Sequence, residues 1–389
     1  MRTRTGVGAS VAAVAALFLA ACSGEPTAAP RASVVSTASP TPSASPSRSP
    51  TPTPTAAPVE DLGPLVPSGD PVVIASNLAA PWSIARLADG SLIVSERDTG
   101  VIAEIVGAAA VPLTTVPGVV AAGEGGLLGL AALEDASGSY LYAYFTSAGD
   151  NRVMRMPLAG AAGAHTLGAP EVVLSGIPKA SNHDGGRMAF GPDGMLYITA
   201  GDASTGSNAQ TLDSLGGKIL RLTPTGAVPA DNPFPGSPVW TLGHRNPQGI
   251  AWAADGTMWA AEFGQDTWDE MNRITPGANY GWPIVEGLAG DPALVDPIAQ
   301  WPTDDASPSG IAVVGDTIFM AGLGGERLWT VGFDGASAEW YGGGQLGRLR
   351  DVVRGPGSTV YLLTNNTDGR GSPRPGDDVL YQVNLVPAG

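Results

Sequence analysis

A histidine and an aspartate flank one apolar hairpin in a way that could support acid–base chemistry. His183 lies in the polar, glycine-rich segment 182–187 directly before this hairpin, and Asp202 follows its second strand. Because both residues stand at the outer ends of paired strands, they are expected to lie close together. A neutral histidine beside a carboxylate is an effective general base. The alternative is that His183 only hydrogen-bonds within the turn.

Two further segments concentrate arginine. Arg245 and Asn246 belong to 243–249, a run of polar or conformationally special residues before another apolar strand. Arg348 and Arg350 stand two positions apart, so an extended strand would place both on one side. Guanidinium groups in these positions suit a ligand that carries several negative charges. Loops or strands that face only solvent remain the alternative.

The segment 262–272, together with 279–282, is rich in oxygen donors. It combines carboxylates such as Glu270 with turn carbonyls, which is the ligand chemistry that Ca²⁺ prefers. The spacing is not that of an EF-hand loop. A solvated acidic loop would have the same composition.

A repeated hairpin must position these segments. Its unit is an apolar strand, a turn at Asp-Gly and a second apolar strand, as in Ile84–Val94, Met188–Ile198 and Ile250–Ala260. Weaker copies occupy 130–144, 311–320 and 352–363. Six units predict an all-β, six-bladed β-propeller with four-stranded antiparallel blades, in which loops at one mouth of the channel form the site. A β-sandwich or two small β domains are the alternatives.

The charge balance restricts the class of partner. The formal net charge is −16, and without Arg2 and Arg4 there are 18 basic residues against 36 acidic ones. Such a balance excludes a nucleic-acid-binding function. Any anionic ligand therefore has to be held by local arginines or by a metal ion.

The N-terminal part predicts export and lipidation. Residues 1–21 combine two arginines with the apolar run 11–20, which is too short for a permanent membrane span. Cys22 follows Leu-Ala-Ala, as in the lipobox of a lipoprotein, and no other cysteine occurs. An ordinary signal peptide with a chance cysteine is the alternative. Residues 22–68, rich in Pro, Ser, Thr and Ala, are expected to form a disordered tether, and 69–389 the propeller.

Taken in order, these segments resemble the soluble glucose dehydrogenases that use pyrroloquinoline quinone (PQQ), also called the glucose/sorbosone dehydrogenase family. The similar segments, which run from about 78 to 383, are 81–82, 96–100, 126–129, 182–202, 215–220, 243–249, 262–272, 279–283 and 348–351. Each segment is a weak signal, whereas the ordered set is specific.

The resemblance implies roles for individual residues in the oxidation of a sugar. His183 would be the base that takes a proton from the anomeric hydroxyl, with Asp202 beside it. Arg245 would stabilise charge on the quinone, and Asn246 would contact it. The side chains of Arg348 and Arg350 would hold its carboxylates.

The resemblance also implies calcium and a binding position for the cofactor near the second blade. Gly264 and Gln265 would offer carbonyl oxygens to the Ca²⁺ that activates the quinone, and Glu270 and Tyr280 resemble a structural calcium site. Glu124 stands where the family's glucose oxidisers have glutamine, and an anion there would repel a cofactor carboxylate or change sugar selection. A cofactor-binding lysine of the family has no counterpart near 323–325.

Three functions fit these observations. The first is PQQ-dependent oxidation of an aldose at the outer face of the cell membrane, where the protein would be lipid-anchored and would pass electrons to an acceptor that the sequence does not identify. The second is a calcium-stabilised propeller that binds carbohydrate or protein without redox chemistry. The third is a calcium-dependent lactonase.

The lipid anchor can be tested with a single substitution. Cys22→Ala removes the acylated thiol, so the protein should move from the membrane fraction to the soluble fraction of the native host. An immunoblot of both fractions measures the change, and a Ser23→Ala variant is the control. Retention of Cys22→Ala on the membrane would contradict lipidation at this cysteine.

Overall fold

The computed structural model describes residues 62–136 and 138–389. The predicted export signal 1–21, the lipidation site Cys22 and the tether up to residue 61 lie outside the described residues. Within the described part of the chain, no helix is long and apolar enough to cross a bilayer. These two ranges contain 25 strands and one helix of four residues.

Six antiparallel sheets form the blades. Among the described residues, five sheets have four strands and one has five, and the last blade combines the final three strands with the first strand of the chain. After the first strand, β1 (Leu65–Ala75), blade 1 consists of β2 (Pro81–Arg86), β3 (Leu92–Glu96), β4 (Val101–Val106) and β5 (Ala109–Thr115). Blade 2 consists of β6 (Leu127–Asp135), β7 (Gly138–Thr146), β8 (Asn151–Ala159), the short β9 (Thr166–Leu167) and β10 (Glu171–Ile177). Blade 3 consists of β11 (Met188–Phe190), β12 (Leu196–Ala200), β13 (Lys218–Leu222) and β14 (Val239–Leu242), with helix α1 (Ser207–Gln210) before β13.

The remaining three blades follow the same order. Blade 4 consists of β15 (Pro247–Trp252), β16 (Met258–Glu262), β17 (Trp268–Ile274) and β18 (Ala299–Pro302). Blade 5 consists of β19 (Pro308–Val314), β20 (Thr317–Gly322), β21 (Arg327–Gly332) and β22 (Ser337–Trp340). Blade 6 consists of β23 (Leu349–Arg354), β24 (Thr359–Thr364), β25 (Leu380–Pro387) and, at its outer edge, β1.

The first strands of the six blades form a closed ring. Each of β2, β6, β11, β15, β19 and β23 contacts the corresponding strand of both neighbouring blades, and β23 meets β2. The six-bladed propeller predicted from the repeat is therefore confirmed. Each repeated hairpin is the inner pair of strands of one blade.

The Asp-Gly turns have the geometry that the sequence predicts. Gly90, Gly194 and Gly256 all have positive φ, at 91°, 74° and 87°. In each turn the carboxylate of the aspartate accepts a hydrogen bond from the amide of the residue after the glycine, at 2.8 to 3.1 Å. The carboxylate thus stabilises the same tight turn in blades 1, 3 and 4.

The ring is closed by a strand from each end of the globular chain. Strand β1 pairs with β25, with Leu65 opposite Pro387. Leu65 is only 2% exposed and packs in the apolar cluster of blades 5 and 6. Strand β1 thus begins at Leu65, four residues before the predicted start of the propeller at residue 69.

A buried ion pair spans the channel between opposite blades. Arg187 Nη1 lies 2.8 Å from Asp351 Oδ2, and the guanidinium stacks 4.3 Å from the ring centroid of Trp82. Arg187 also donates to the carbonyl of Gln248. These four residues belong to, or directly precede, the inner strands of blades 3, 6, 1 and 4. The pair separates an upper cavity of about 170 Å³ from an apolar lower cavity of about 510 Å³.

The buried ion pair between Arg187 and Asp351 should contribute measurably to the free energy of unfolding. Burial raises the pKa of the Asp351 carboxyl and lowers that of the Arg187 guanidinium, so each charge needs the other. Asp351→Ala leaves Arg187 without a charged partner and should reduce the free energy of unfolding by about 3–5 kcal/mol in chemical denaturation. As a control, Glu339→Ala removes the exposed partner of Arg327 and should cost at most about 1 kcal/mol. Equal losses in the two variants would contradict a special role for the buried pair.

Candidate active site

The upper cavity is lined by residues from loops at one mouth of the ring. Its wall contains four arginines, Arg97, Arg348, Arg350 and Arg370, together with Glu124 and Asp184. Trp82 and Gln248 also face this cavity, so its floor is the layer that contains the ion pair. A strongly cationic, half-enclosed cavity is unusual in a chain with this excess of acidic residues.

The predicted meeting of His183 and Asp202 is present in the structure. His183 Nδ1 lies 2.7 Å from Asp202 Oδ1, and Trp282 Nε1 donates to Asp202 Oδ2 at 2.8 Å. The carboxylate accepts the proton of Nδ1, which leaves Nε2 as the basic nitrogen. None of the hydrogen bonds within 62–136 and 138–389 uses His183 Nε2. The pair can therefore take up a proton from a bound hydroxyl.

The backbone at His183 is held in an uncommon conformation. Its φ is 63°, in the left-handed region that non-glycine residues rarely adopt. Glu124 Oε2 accepts a hydrogen bond from the His183 amide at 2.9 Å, and Asn246 Oδ1 accepts one from Gly185 at 3.0 Å. Glu124 lines the upper cavity and also supports the histidine loop, and its effect on a cofactor remains a prediction. Asn246 lies in the wall behind that loop, and its contact with a cofactor remains a prediction.

Lys218 supports the other side of the pair. It is fully buried, and its ammonium donates to the carbonyls of Asn208, Ala209 and Gly216. Asn208 in turn donates from its side chain to the carbonyl of Asp202 at 2.9 Å. Burial lowers the pKa of Lys218 to about 8, which reflects the cost of enclosing this charge among neutral acceptors. The lysine fixes the loop that carries Asp202.

The predicted arginine pair points into the cavity. Arg350 is buried and donates to Gln248 Oε1 and Asn365 Oδ1, both at 2.9 Å. Arg348 Nη2 lies 3.3 Å from Asp368 Oδ2. Burial by itself would raise the pKa of Asp368, but Arg348 lowers it below its usual value. The Nε atom of Arg348 is buried and has no hydrogen-bond partner, which leaves one donor of this arginine unsatisfied at the cavity wall.

Arg245 lies beside the His183–Asp202 pair. Its guanidinium stacks 5.5 Å from the ring centroid of Trp282, and Nη1 donates to the carbonyl of Phe263 at 3.3 Å. Its Nε is a second buried donor without a partner. The backbone amides of Arg245 and Asn246 both donate to the buried carboxylate of Glu262. Glu262 thereby positions the segment 243–249.

The predicted calcium residues lie around a small cavity with an excess of acceptors. Glu262, Glu270 and Glu286 line this cavity, together with Gly264 and Tyr280. Burial and the neighbouring Glu262 raise the pKa of Glu270 to about 7. Next to it, Asn272 Oδ1 is buried without a donor, although Asn272 Nδ2 donates to Glu270. The carboxylates of Glu262, Glu270 and Glu286 already accept hydrogen bonds, and Arg245 also lines the cavity, whereas Gln265 does not. The unsatisfied Asn272 Oδ1 beside these carboxylates fits a cation.

The individual ligands differ in what they can offer to a metal. The Tyr280 hydroxyl is already bonded to the Arg273 carbonyl and the Thr275 amide, so that side chain is engaged. The amide of Gln265 donates to Glu286, while no hydrogen bond of the described residues uses the carbonyl oxygens of Gly264 and Gln265. Within residues 62–136 and 138–389, no group of three or more His, Cys, Asp or Glu side chains is arranged to hold a metal ion.

With this geometry in view, the comparisons with known proteins are decisive. The sequence profile described as "Glucose / Sorbosone dehydrogenase" matches residues 78–379. The chain belongs to the glucose/sorbosone dehydrogenase family. The predicted resemblance is thus confirmed at the level of the family.

Characterised relatives and solved structures agree with this membership. The family member described here is 30% identical over 342 residues to aldose sugar dehydrogenase YliI of Escherichia coli, covering 76% of this chain and 90% of that protein. It is 33% identical to quinoprotein glucose dehydrogenase B of Acinetobacter calcoaceticus, covering 57% of this chain and 54% of that one. The PQQ-bound aldose sugar dehydrogenase of Streptomyces coelicolor is 46% identical with a TM-score of 0.78, covering 85% of this chain and all of that one.

Several residues of this family member's site escape the sequence analysis. Arg97 and Arg370 complete the cationic wall, and Asp368 pairs with Arg348 behind it. Trp282 and Lys218 support Asp202. Arg370 and Asp368 lie in the segment 365–371, which has the same density of polar residues and glycine as 243–249. That density was available as a signal. No local pattern, however, indicates that this loop faces Arg348.

Proposed function

We propose that the protein is a PQQ-dependent dehydrogenase that oxidises an aldose at C1 to the lactone. The observation that supports this most directly is that a positioned base, His183, lies near two unsatisfied arginine donors, Arg348 Nε at the upper cavity and Arg245 Nε at the small cavity. A base alone would fit many reactions. The four arginines in the wall of the upper cavity and these unpaired donors favour a polyanionic ligand, which matches the carboxylates of the quinone.

The cofactor would be held mainly by arginines. Arg348 and Arg350 would bind its carboxylates, with Arg245 and Asn246 on the side that faces the histidine. When bound, PQQ would supply the acceptor for the hydride that leaves C1 of the sugar, a capacity that the side chains lack. The guanidinium of Arg245 would stabilise negative charge that develops near it, because it is half-buried and held in place by Trp282 and the carbonyl of Phe263.

The proton step would depend on the chain's own residues. The Nε2 atom of His183 would take the proton of the anomeric hydroxyl, and Asp202 would stabilise the imidazolium that results. Trp282 keeps the carboxylate of Asp202 in place through its indole N–H. The same residues would fix the imidazole plane, so that Nε2 is aimed at the substrate before it binds.

Calcium would act at two places. The carbonyl oxygens of Gly264 and Gln265 would hold an ion next to the cofactor. Glu270, with the unsatisfied Asn272 Oδ1 and the backbone at Tyr280, would hold a second ion that stabilises the loop between β17 and β18. The second ion would also neutralise the carboxylates that share the small cavity.

The place of action would be the outer face of the cell membrane. The apolar N-terminal run with its lipobox supports export and acylation at Cys22. A proline-rich tether would then separate the propeller from the lipid surface. Sugars outside the cytoplasm would reach the upper cavity directly.

Two substitutions separate the base from the cofactor-binding residues. His183→Ala should lower turnover of an aldose by about 10²- to 10⁴-fold, while the Kd for PQQ changes little, because a general base contributes to the proton step alone. Arg348→Ala should weaken PQQ binding by about 10- to 100-fold, since it removes a charge-assisted contact. Dye reduction and the absorbance of bound PQQ measure the two effects.

Two results would contradict this assignment. Unchanged turnover in His183→Ala would remove the histidine from the mechanism. If the wild-type protein bound no PQQ in the presence of Ca²⁺, the dehydrogenase function would be wrong, and a calcium-stabilised binding propeller would become the better explanation.

The structural calcium ion predicts a stability effect that is independent of turnover. Ca²⁺ should raise the Tm of the PQQ-free protein and EDTA should lower it, because a ligand of the folded state stabilises that state by mass action. Glu270→Gln should lose most of the Ca²⁺-dependent increase, whereas the exposed control Glu339→Gln should keep it. Differential scanning calorimetry measures both. The same increase in Glu270→Gln as in the wild type would rule out this site.

A further inference from the structure

The four arginines of the upper cavity differ in how fully they are bonded. Arg350 is bonded to Gln248 and Asn365, and Arg348 is largely buried and paired with Asp368, although its Nε has no partner. Arg97 is bonded to Asp98 and to the carbonyl of Asp368. Arg370 is the exception. Its side chain is 46% exposed, and its guanidinium has a single described contact, 3.3 Å from Glu124 Oε1.

No lysine can supply charge to this cavity. The two lysines of the chain are Lys179 and Lys218. Lys179 donates to the carbonyl of Ser147, and Lys218 is enclosed by three carbonyls below the Asp202 loop. Neither residue lines the cavity. A cation that can still adjust to a ligand there is therefore an arginine.

The backbone that carries Arg370 is fixed, although its side chain is not. Asp368 Oδ1 accepts the Arg370 amide at 2.9 Å, and the Asp368 side chain is fully buried against Arg348. Directly after it, Gly371 packs so closely on Arg348 that a Cβ atom would lie 2.9 Å from Arg348 Cδ. The side chain of Arg370 therefore extends from a rigid loop at the edge of the cavity. It lies next to Arg348, which is predicted to bind a carboxylate of the cofactor.

Glu124 has two contacts that explain its presence beside an anion-binding cavity. Oε2 accepts the His183 amide, and Oε1 faces Arg370. Its negative charge is therefore balanced by Arg370 when no other anion is near. A ligand carboxylate entering the cavity would compete with Glu124 for the same guanidinium, which has four further N–H donors.

We propose that Arg370 is an additional cofactor-binding residue that Glu124 holds at the edge of the cavity until a carboxylate of the planar polyanionic cofactor takes its place. This inference rests on the proposed function, since it specifies how the same site binds PQQ. It assigns to Arg370 the adjustable positive charge that the chain's two lysines do not provide. On this proposal Glu124 is an ion-pair partner of Arg370, and its effect on the cofactor is not repulsion alone.

The test compares the acid with its ester, so that only the carboxylate contact is measured. Equilibrium dialysis with absorbance detection gives the Kd of PQQ and of PQQ trimethyl ester for the apo-protein with Ca²⁺. Arg370→Ala should weaken binding of the acid by about 10- to 100-fold and should change binding of the ester by less than about 3-fold. The control Arg354→Ala removes an equal charge at the end of β23 that lies away from Arg348, at the lower cavity. It should leave the Kd of the acid and that of the ester unchanged.

The outcomes separate this inference from the proposed function. Binding of PQQ to Arg370→Ala as tightly as to the wild type would overturn the inference alone. Equal loss of the acid and the ester would also overturn it, because the effect would then not come from a carboxylate contact. If the wild type bound neither compound, the proposed function would fail, and this inference with it.

A second variant tests the role of Glu124. Glu124→Gln keeps an acceptor for the His183 amide and removes the anion that holds Arg370, so PQQ should bind more tightly. The penalty of Arg370→Ala should be larger in this background, because Arg370 no longer has to leave a carboxylate. If Glu124→Gln had the same effect with and without Arg370, Glu124 would act by repulsion alone, and its proposed holding role would be wrong.

Discussion

The ion pair between Arg187 and Asp351 is the interaction on which the rest of the ring depends. It connects blades 3 and 6 through the channel and orders Trp82 of blade 1 and Gln248 of blade 4 around it. Asp351 also accepts the amide of Ile84. Since both charges are enclosed, any widening of the ring would expose an unpaired ion to apolar surroundings. The floor of the upper cavity is stable for this reason.

Buried carboxylates solve a second problem, that of long glycine-rich loops without regular hydrogen bonding. They accept backbone amides in several blades, where the loop would otherwise leave donors unsatisfied. Examples are Glu104 with Gly163 and His165, Glu262 with Arg245 and Asn246, Asp269 with Gly264 and Ser307, and Asp378 with Asn366 and Thr367. Part of the acidic excess of the chain is therefore structural. These buried acidic residues hold the loops in place. The net charge of the chain does not reveal this role, because it does not distinguish buried carboxylates from exposed ones.

The candidate site combines these two constraints. The floor comes from the central ion pair, and the walls come from loops that carboxylates hold in place. On this support the chain positions the proposed base, His183, against Asp202 and places arginine side chains around a cavity of about 170 Å³. Both His183 and Asp202 lie on supported segments, because Glu124 accepts the amide of His183 and Lys218 donates to carbonyls of the loop after Asp202. Preorganisation of this kind reduces the cost of orienting the groups when a substrate binds.

Local interactions along the chain determined the parts that could be predicted from the sequence. The Asp-Gly hairpins, the six blades, the meeting of His183 with Asp202 and the common direction of Arg348 and Arg350 all follow from alternation along strands and from pairing within one hairpin. Only the tertiary structure decided that β1 pairs with β25, that Arg187 meets Asp351, and that Arg370 faces Glu124. These partners are separated by more than 150 residues. Their contact arises from closure of the ring, which depends on the packing of all six blades and leaves no periodic pattern in the sequence.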